Sequence, residues 1–220
     1  MPKLLHIKAS PRMDSYSTAL AEAFLEAFLK VHRDFGNETL DVARADTGAG
    51  PPVPEFRAPQ AAAKYAVLEG QEPVGEAALA WKAVIDVVNH FKSADFVLIS
   101  SPMWNFSLPY RLKQYIDVLV QPGLTFTYSA AEGYKGLVTG RPAVLALARG
   151  GSYPTGTAEA SYDMQKPYLE LILRFIGFTD IRTLIVEPTL AGKETADKAL
   201  AAAKVQAVAL AQQVPVPHAV

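Results

Sequence analysis

One strand, one turn and one helix follow each other in FVLISSPMWNFSLPYRLKQYID, residues 96–117. The first five residues form an apolar run that is typical of a buried strand. Pro109 suits the first turn of a helix, because its φ is already helical and no N–H is needed there. Between them lie the large apolar side chains of Met103, Trp104 and Phe106 and the amide of Asn105. Since ligands bind at the carboxyl ends of strands in open α/β sheets, this turn is predicted to line a ligand site.

Strand and helix patterns alternate along the rest of the chain. The sequence pattern predicts five strands, at residues 3–9, 38–42, 95–100, 142–148 and 180–186. Residues 38–42 alternate apolar and polar side chains. Apolar residues spaced three or four apart predict helices at residues 18–32, 76–93, 109–120, 162–176 and 193–212. This alternation predicts an α/β fold, a three-layer sandwich in which helices cover both faces of a parallel sheet. For five strands the commonest order is 2-1-3-4-5, the flavodoxin-like arrangement.

The length of 220 residues predicts a single domain, residues 1–220, with a sizeable core. Two segments interrupt the alternation. Residues 46–75 contain five prolines and are too long for an ordinary connection, so they are predicted to be an insertion. Residues 123–140 are predicted to form a hairpin or lid. Both segments lie at loop positions, where function usually resides.

Composition excludes several classes of protein. The chain has no cysteine, which excludes disulfides, thiolate catalysis and Cys-ligated metal centres, and no metal site is predicted. A net charge of −1 gives no sign of nucleic-acid or membrane-surface partners. The first apolar stretch is too short for a signal peptide, and no uncharged apolar run is long enough to span a bilayer. We therefore expect a cytoplasmic protein.

The loop after the first strand, residues 10–18, is rich in hydroxyl groups and leads into a helix. Ser10, Ser15 and Ser17 can each donate a hydrogen bond, and the amides and dipole of a helix N-terminus attract anions. These features favour a phosphate site. The alternative is that one hydroxyl, from Ser15, Ser17 or Thr18, simply caps the helix.

Two further loops should meet it, because strands 1, 3 and 4 are neighbours in the predicted order. After strand 3, Met103, Trp104 and Phe106 favour an apolar ligand wall, with a turn packed on neighbouring helices as the alternative. After strand 4, Gly150 and Gly151 allow a backbone to approach a ligand with its N–H groups, or else form a flexible turn. A phosphate, a planar ring and amide donors together suit flavin mononucleotide (FMN).

Nearly the whole chain resembles the FMN-dependent NADH-azoreductases, which are flavodoxin-like enzymes similar to the NAD(P)H quinone reductases. The motifs that carry the resemblance are at residues 102–106, 112–117, 125–128, 136–140, 149–151 and 175–178. Family members usually read Pro-Met-Tyr-Asn-Phe at the first of these, so Trp104 replaces a tyrosine. Ala148 stands where many members have serine. These departures leave the choice of substrate open.

The resemblance implies three sets of FMN contacts. Phosphate and ribityl contacts fall on Ser10, Ser15, Tyr16 and Ser17. Isoalloxazine contacts fall on Met103, Trp104, Asn105 and Phe106, with Asn105 orienting the ring. Contacts to the pyrimidine edge fall on Ala148, Arg149, Gly150 and Gly151. There the N–H groups of Gly150 and Gly151 would stabilise negative charge on the reduced ring. Arg12 and Arg149 are basic residues near this site, either anion ligands or ordinary surface charges.

The resemblance also implies a ping-pong reaction, in which NADH or NADPH gives a hydride to FMN and a quinone or azo compound then takes the electrons. It implies a homodimer with the site at the subunit interface. Phe56, Tyr65 and Tyr128 are candidates for the substrate pocket, unless they cover the core of their own subunit. The alternative functions are a flavodoxin-type electron carrier, which the near-neutral charge and the first loop disfavour, and a redox-silent protein that senses flavin.

Overall fold

The structure is a computed structural model that describes residues 1–44 and 50–216. Five parallel strands form one sheet: β1 (Lys3–Lys8), β2 (Gly36–Asp41), β3 (Phe96–Pro102), β6 (Ala143–Ala148) and β7 (Ile181–Val186). Their order is β2-β1-β3-β6-β7. Two short strands, β4 (Phe126–Ser129) and β5 (Gly133–Gly136), form an antiparallel hairpin outside this sheet. With those two set aside the order is 2-1-3-4-5, so the predicted α/β fold and strand order are confirmed.

The described residues form six α-helices: α1 (Tyr16–Val31), α2 (Ala58–Leu68), α3 (Gly75–Lys92), α4 (Tyr110–Leu119), α5 (Lys166–Ile176) and α6 (Lys193–Ala211). Side chains alternate across β3, which explains its unbroken apolar run. Phe96 and Leu98 join a core with α1 and α6, whereas Val97 and Ile99 join a core with the other helices. Helices therefore cover both faces of the sheet. In residues 1–44 and 50–216 no helix is long and apolar enough to cross a bilayer.

The predicted insertion, residues 46–75, contains a helix that the sequence pattern did not indicate. Residues 46–49 lie outside the described residues. Within the rest, α2 begins beside Pro59, which its first turn accommodates. Helix α2 packs on α3, and Ala63 is its one buried residue. Because α2 buries so little apolar surface, its sequence lacks the apolar stripe on which the helix predictions depended.

The helix predicted at residues 162–176 begins later, at Lys166. A 3₁₀ turn at Glu159–Tyr162 precedes it. Asp163 Oδ1 then accepts hydrogen bonds from the backbone N–H groups of Gln165 and Lys166, at 3.0 and 3.1 Å. Pro167 fixes this start, because proline lacks an N–H and clashes with the preceding turn anywhere but near a helix N-terminus. That residue was a signal in the sequence for the later boundary.

His6 lies within β1 and is buried in the sheet. Its Nε2 atom is 2.8 Å from the hydroxyl of Ser100 on the neighbouring strand. Burial, and to a smaller extent the charge of Lys8, lower the pKa of His6 from 6.5 to about 4. The imidazole is therefore a neutral structural group that joins β1 to β3.

Lowering the pH from about 8 to about 5 is expected to reduce the free energy of unfolding by about 2 kcal/mol through His6 alone. The unfolded histidine takes up a proton below pH 6.5, whereas the folded imidazole stays neutral down to about 4. Between pH 6.5 and about 4 the unfolded state therefore binds more protons than the folded state. The contribution of His6 to the free energy of unfolding is complete above pH 6.5 and is lost as the pH falls. Urea denaturation at the two pH values measures the change. His6→Gln should remove most of it, and a variant with the full pH dependence would contradict the assignment.

Candidate functional site

A cleft lies where the loops after β1, β3, β6 and β7 converge, at the carboxyl edge of the sheet. It holds about 590 Å³ of empty space, including the space at its open mouth. Seven predicted residues line it: Ser10, Ser15, Tyr16, Met103, Trp104, Ala148 and Gly150. Five others complete the lining: Pro11, Arg12, Pro102, Thr189 and Leu190.

One side of the cleft is the N-terminus of α1. Ser15 is the N-cap, and its hydroxyl accepts a hydrogen bond from Thr18 N–H at 3.3 Å and lies 3.0 Å from the hydroxyl of Ser17. The capping alternative is therefore realised by Ser15. The N–H groups of Tyr16 and Ser17 have no acceptor in the part of the chain that the structure describes. They remain available, with the helix dipole, for an anion in the cleft.

Arg12 lies on the same loop but is paired within it. Its Nε and Nη2 atoms donate to the two carboxylate oxygens of Asp14 at 3.1 and 2.8 Å. This hydrogen bonding, together with the opposite charge, raises the pKa of Arg12 and lowers the pKa of Asp14. Both side chains are exposed, so the ion pair contributes little to the stability of the fold. Its main effect is to hold the conformation of the loop after β1.

The second side of the cleft is a tight turn at residues 104–107. Trp104 and Ser107 exchange two backbone hydrogen bonds, of 3.0 and 2.9 Å. The two central residues have positive φ, 46° at Asn105 and 67° at Phe106, as a type I′ turn requires. Asparagine tolerates this region, but an aromatic residue is strained in it. Trp104 and Phe106 are 39% and 49% exposed, so the interpretation of this turn as packed core is wrong.

The third side is the loop after β6. The carbonyl of Gly150 accepts a hydrogen bond from Leu190 N–H at 3.1 Å, and the carbonyl of Arg149 accepts one from Thr189 N–H at 2.9 Å. These bonds tie the loop to the one after β7. Among residues 1–44 and 50–216, the N–H groups of Gly150 and Gly151 have no acceptor. The loop therefore presents backbone donors and is held in place by its carbonyls.

The other predicted contact residues lie around the cleft without lining it. Ser17 is buried next to Ser15, and Asn105 and Phe106 lie at the exposed tip of the turn. Gly151 faces the ring of Tyr153. The sequence analysis missed Thr189 and Leu190. The predicted strand order contained the signal for them, because the fifth strand ends at the same edge as the fourth.

Arg149 is not an ordinary surface charge, and that interpretation is wrong. Its side chain is 2% exposed and points away from the cleft. Its guanidinium donates to Asp163 Oδ2 at 2.7 Å, Glu187 Oε2 at 3.3 Å and Gln165 Oε1 at 3.3 Å. With these donors engaged, the side chain is not free to hold an anion in the cleft. The sequence spacing of these partners gave no sign of the cluster.

Within this chain, the three candidates for a substrate pocket do not line the cleft. Phe56 packs against the core beside α2, and Lys64 Nζ lies 5.9 Å from its ring. Tyr65 is exposed on α2. Tyr128 is exposed on the hairpin, 4.9 Å from the ring of Tyr134. The structure therefore places Phe56 as a cover of its own core and leaves the two tyrosines at the surface.

Comparisons with known proteins agree on one family. The sequence pattern of a family described as "Flavodoxin-like fold" matches residues 2–211. An FMN-dependent NADH:quinone oxidoreductase of Desulfotalea psychrophila is 44% identical over 97% of this chain and 98% of its own. One of the same name from Nitratidesulfovibrio vulgaris is 49% identical over 87% of this chain and 89% of its own.

Among solved structures, an azoreductase of Bacillus anthracis superposes with a TM-score of 0.85 and 28% identity. The match covers 97% of this chain and 100% of the azoreductase chain. The likeness therefore extends over the whole sheet, its helices and the loops of the cleft. With the family pattern spanning residues 2–211, this chain belongs to the flavodoxin-like fold family.

Proposed function

We propose that this protein is an FMN-dependent NADH:quinone oxidoreductase that also reduces azo compounds. The observation that carries the proposal is the cleft, which is lined by the start of α1, by Met103 and Trp104, and by Gly150 after β6. Relatives that are 44% and 49% identical over 214 and 195 aligned residues bear the name FMN-dependent NADH:quinone oxidoreductase. The azoreductase with the same fold supports the azo substrates.

The residues present fit FMN. The open N–H groups of Tyr16 and Ser17, with the buried hydroxyl of Ser10, suit a phosphate and a polar chain. Met103 and Trp104 offer an apolar surface for a planar ring. The N–H groups of Gly150 and Gly151 suit the polar edge of that ring. Ala148, where a serine hydroxyl would add a contact, leaves that edge to backbone donors alone.

Bound FMN would supply the hydride chemistry, accepting from NADH and giving to a quinone or an azo compound. The chain would supply binding, orientation and electrostatics. Donors at Gly150 and Gly151 would stabilise negative charge at the polar edge of the ring without reorganising. The exposed side of Trp104 borders the open mouth, where donor and acceptor would enter in turn. In the described part of the chain no cluster of side chains could hold a metal.

Asn105 is expected to act through its amide in orienting the ring. Asn105→Gly keeps the positive φ that the turn requires, so it removes the amide alone, whereas Asn105→Ala also strains the turn by about 1 kcal/mol. Both variants should weaken FMN binding several-fold, with Asn105→Ala the weaker binder and the less stable protein. Titration with FMN and urea denaturation measure the two effects. Wild-type affinity in Asn105→Gly would show that the amide has no such role.

The proposal includes a homodimer. An apolar groove between α4 and α5 is lined by Leu108, Tyr110, Met164 and Leu171, and Leu171 is 64% exposed. Ser107, at the end of the turn that lines the cleft, also lines this groove. A second copy seated there would cover apolar surface and border the cleft. The absence of nucleic-acid and membrane partners and the cytoplasmic location stay predictions.

Leu171→Glu is expected to weaken dimerisation more than tenfold, because it would bury an unpaired carboxylate in the interface. Light scattering coupled to size-exclusion chromatography measures the mass across a dilution series. Val205→Glu is the matched control, since Val205 is 72% exposed on α6, away from the groove. A dimer that survives Leu171→Glu, or a wild-type monomer at all concentrations, would contradict this part of the proposal.

Anaerobic addition of NADH to the FMN-loaded protein tests the activity. The visible absorbance of the flavin should bleach with one equivalent of NADH and return when a quinone is added. FMN that NADH does not reduce, but that accepts single electrons from a chemical reductant, would favour an electron carrier. FMN that binds tightly and turns over with neither NADH nor any acceptor would favour a sensor.

A further inference from the structure

The guanidinium of Arg149 joins parts of the chain that are far apart in sequence. Asp163 and Gln165 precede α5, and Glu187 directly follows β7. Arg149 itself directly follows β6. The three acceptors lie 2.7 to 3.3 Å from the three guanidinium nitrogens. A single buried side chain therefore connects the two ends of the β6–α5 connection to the loop after β7, at one edge of the sheet.

Gln165 extends this connection to β3. Its Nε2 atom donates to the carbonyl of Ser101 at 3.2 Å, two residues before Met103. The neighbouring Met164 N–H donates to the carbonyl of Phe106 at 2.9 Å, in the exposed turn. Asp163 accepts hydrogen bonds from Arg149 through Oδ2 and from the first amides of α5 through Oδ1. The cluster of Arg149, Asp163, Gln165 and Glu187 is thus bonded directly to β3. It is linked to the turn at 104–107 through the neighbouring Met164.

The loops joined in this way are those that line the cleft. Gly150 follows Arg149 directly, and Thr189 and Leu190 follow Glu187 at a distance of two and three residues. Met103 and Trp104 form the facing wall. None of the four side chains of the cluster lines the cleft. Arg149 is therefore placed to set the distance between two walls of the cleft without touching what lies between them.

We propose that Arg149 is a positioning residue, which holds the N–H groups of Gly150 and Gly151 in register with the Met103–Trp104 wall. The inference rests on the proposed function. Arginine suits the task because its rigid fork can donate to three acceptors at once, whereas the ammonium of lysine is a point charge on a flexible stem. Two carboxylates with one guanidinium also make the cluster costly to open, because a buried charge would lose its partner.

Arg149→Lys tests the proposal, with Arg141→Lys as the matched control. Arg141 is partly buried, whereas Arg149 is almost fully buried. The Arg141 guanidinium donates to the carbonyls of Lys92, at 2.7 Å, and of Ala94, at the opposite edge of the sheet. Hydrogen exchange of the FMN-free protein is the first readout. We expect the hydrogen-bonded amides of Met103, Trp104, Ser107, Thr189 and Leu190 to exchange at least tenfold faster in Arg149→Lys and at the wild-type rate in Arg141→Lys.

Affinity for FMN is the second readout. Arg149→Lys should raise the Kd at least tenfold and alter the visible spectrum of bound FMN, whereas Arg141→Lys should leave both unchanged. If Arg149→Lys does not fold, Asp163→Asn replaces it in the test. Asp163→Asn keeps the shape of the side chain and the Oδ1 acceptor but removes the Oδ2 acceptor of Arg149, so the same changes in exchange and affinity are expected. Wild-type exchange and affinity in the folded variants would overturn the proposal, as would an equal loss in Arg141→Lys.

The two proposals fail in different ways. A wild-type protein that binds no FMN would contradict the proposed function. In that case, faster exchange in Arg149→Lys would still support the connection between the cluster and the cleft walls. The other case is a wild-type protein that binds FMN and oxidises NADH with a quinone. An Arg149→Lys variant that binds FMN and reacts equally well would then contradict the positioning role alone.

Discussion

Ser15→Asp is expected to weaken FMN binding about a hundredfold while leaving the fold intact. Aspartate caps a helix as well as serine does, so α1 should keep its N-terminus. The added carboxylate would lie beside the N–H groups that are proposed to bind the phosphate. Two like charges about 4 Å apart repel by a few kcal/mol near a protein surface, which corresponds to roughly a hundredfold in affinity.

Ser15→Asn is the matched control, because it has nearly the same size and capping ability without the charge. It should bind FMN within a few-fold of the wild type. The gap between the two variants should narrow as salt is added, since ions screen the repulsion. Equal binding by Ser15→Asp and Ser15→Asn would place the phosphate elsewhere. Fluorescence titration with FMN at two salt concentrations gives the comparison.

Gly136→Ala is expected to lower the free energy of unfolding by about 3 kcal/mol. Gly136 ends the hairpin strand β5 against the C-terminus of α5, and a Cβ atom there would come within 2.5 Å of Gly177 Cα. The atoms that it meets are backbone, so no side chain can move aside. Gly177 has a φ of 120°, and the hydrogen bond of 2.8 Å from Val138 N–H to the carbonyl of Ile176 holds this segment in place. Urea denaturation measures the loss.

Gly133→Ala is the matched control in the same hairpin strand. Gly133 has a φ of 69°, but nothing lies within 4 Å of an added Cβ. It should lose only about 1 kcal/mol, from the strain of a left-handed conformation. Similar losses in the two variants would mean that the contact with α5 is not what constrains Gly136. Unchanged stability in Gly136→Ala would contradict the packing of the hairpin altogether.

The sheet was predictable because burial on both faces leaves an unbroken apolar run, as in residues 96–99. The strand order followed from the number of strands and from the general rules of such folds. The helix α2 inside the predicted insertion and the start of α5 were not predicted. Few residues of α2 are buried, so it shows no apolar stripe, and the boundary at Lys166 depends on hydrogen bonds from Asp163 that no periodicity indicates.

The walls of the cleft were predictable from loops that follow neighbouring strands, and seven of the predicted residues line it. The direction of the Arg149 side chain was not predictable. It depends on carboxylates at positions 163 and 187, which only the fold brings together. The strained turn at Asn105 and Phe106 was equally hidden, because an aromatic residue at positive φ departs from the usual turn sequences.

The central claim is that the cleft binds FMN with its phosphate at the N-terminus of α1. Equilibrium titration of the FMN-free protein with FMN and with riboflavin, which lacks the phosphate, tests it most directly. The helix amides should make FMN bind at least about tenfold more tightly than riboflavin. Equal affinities for the two compounds, or binding of neither, would contradict it.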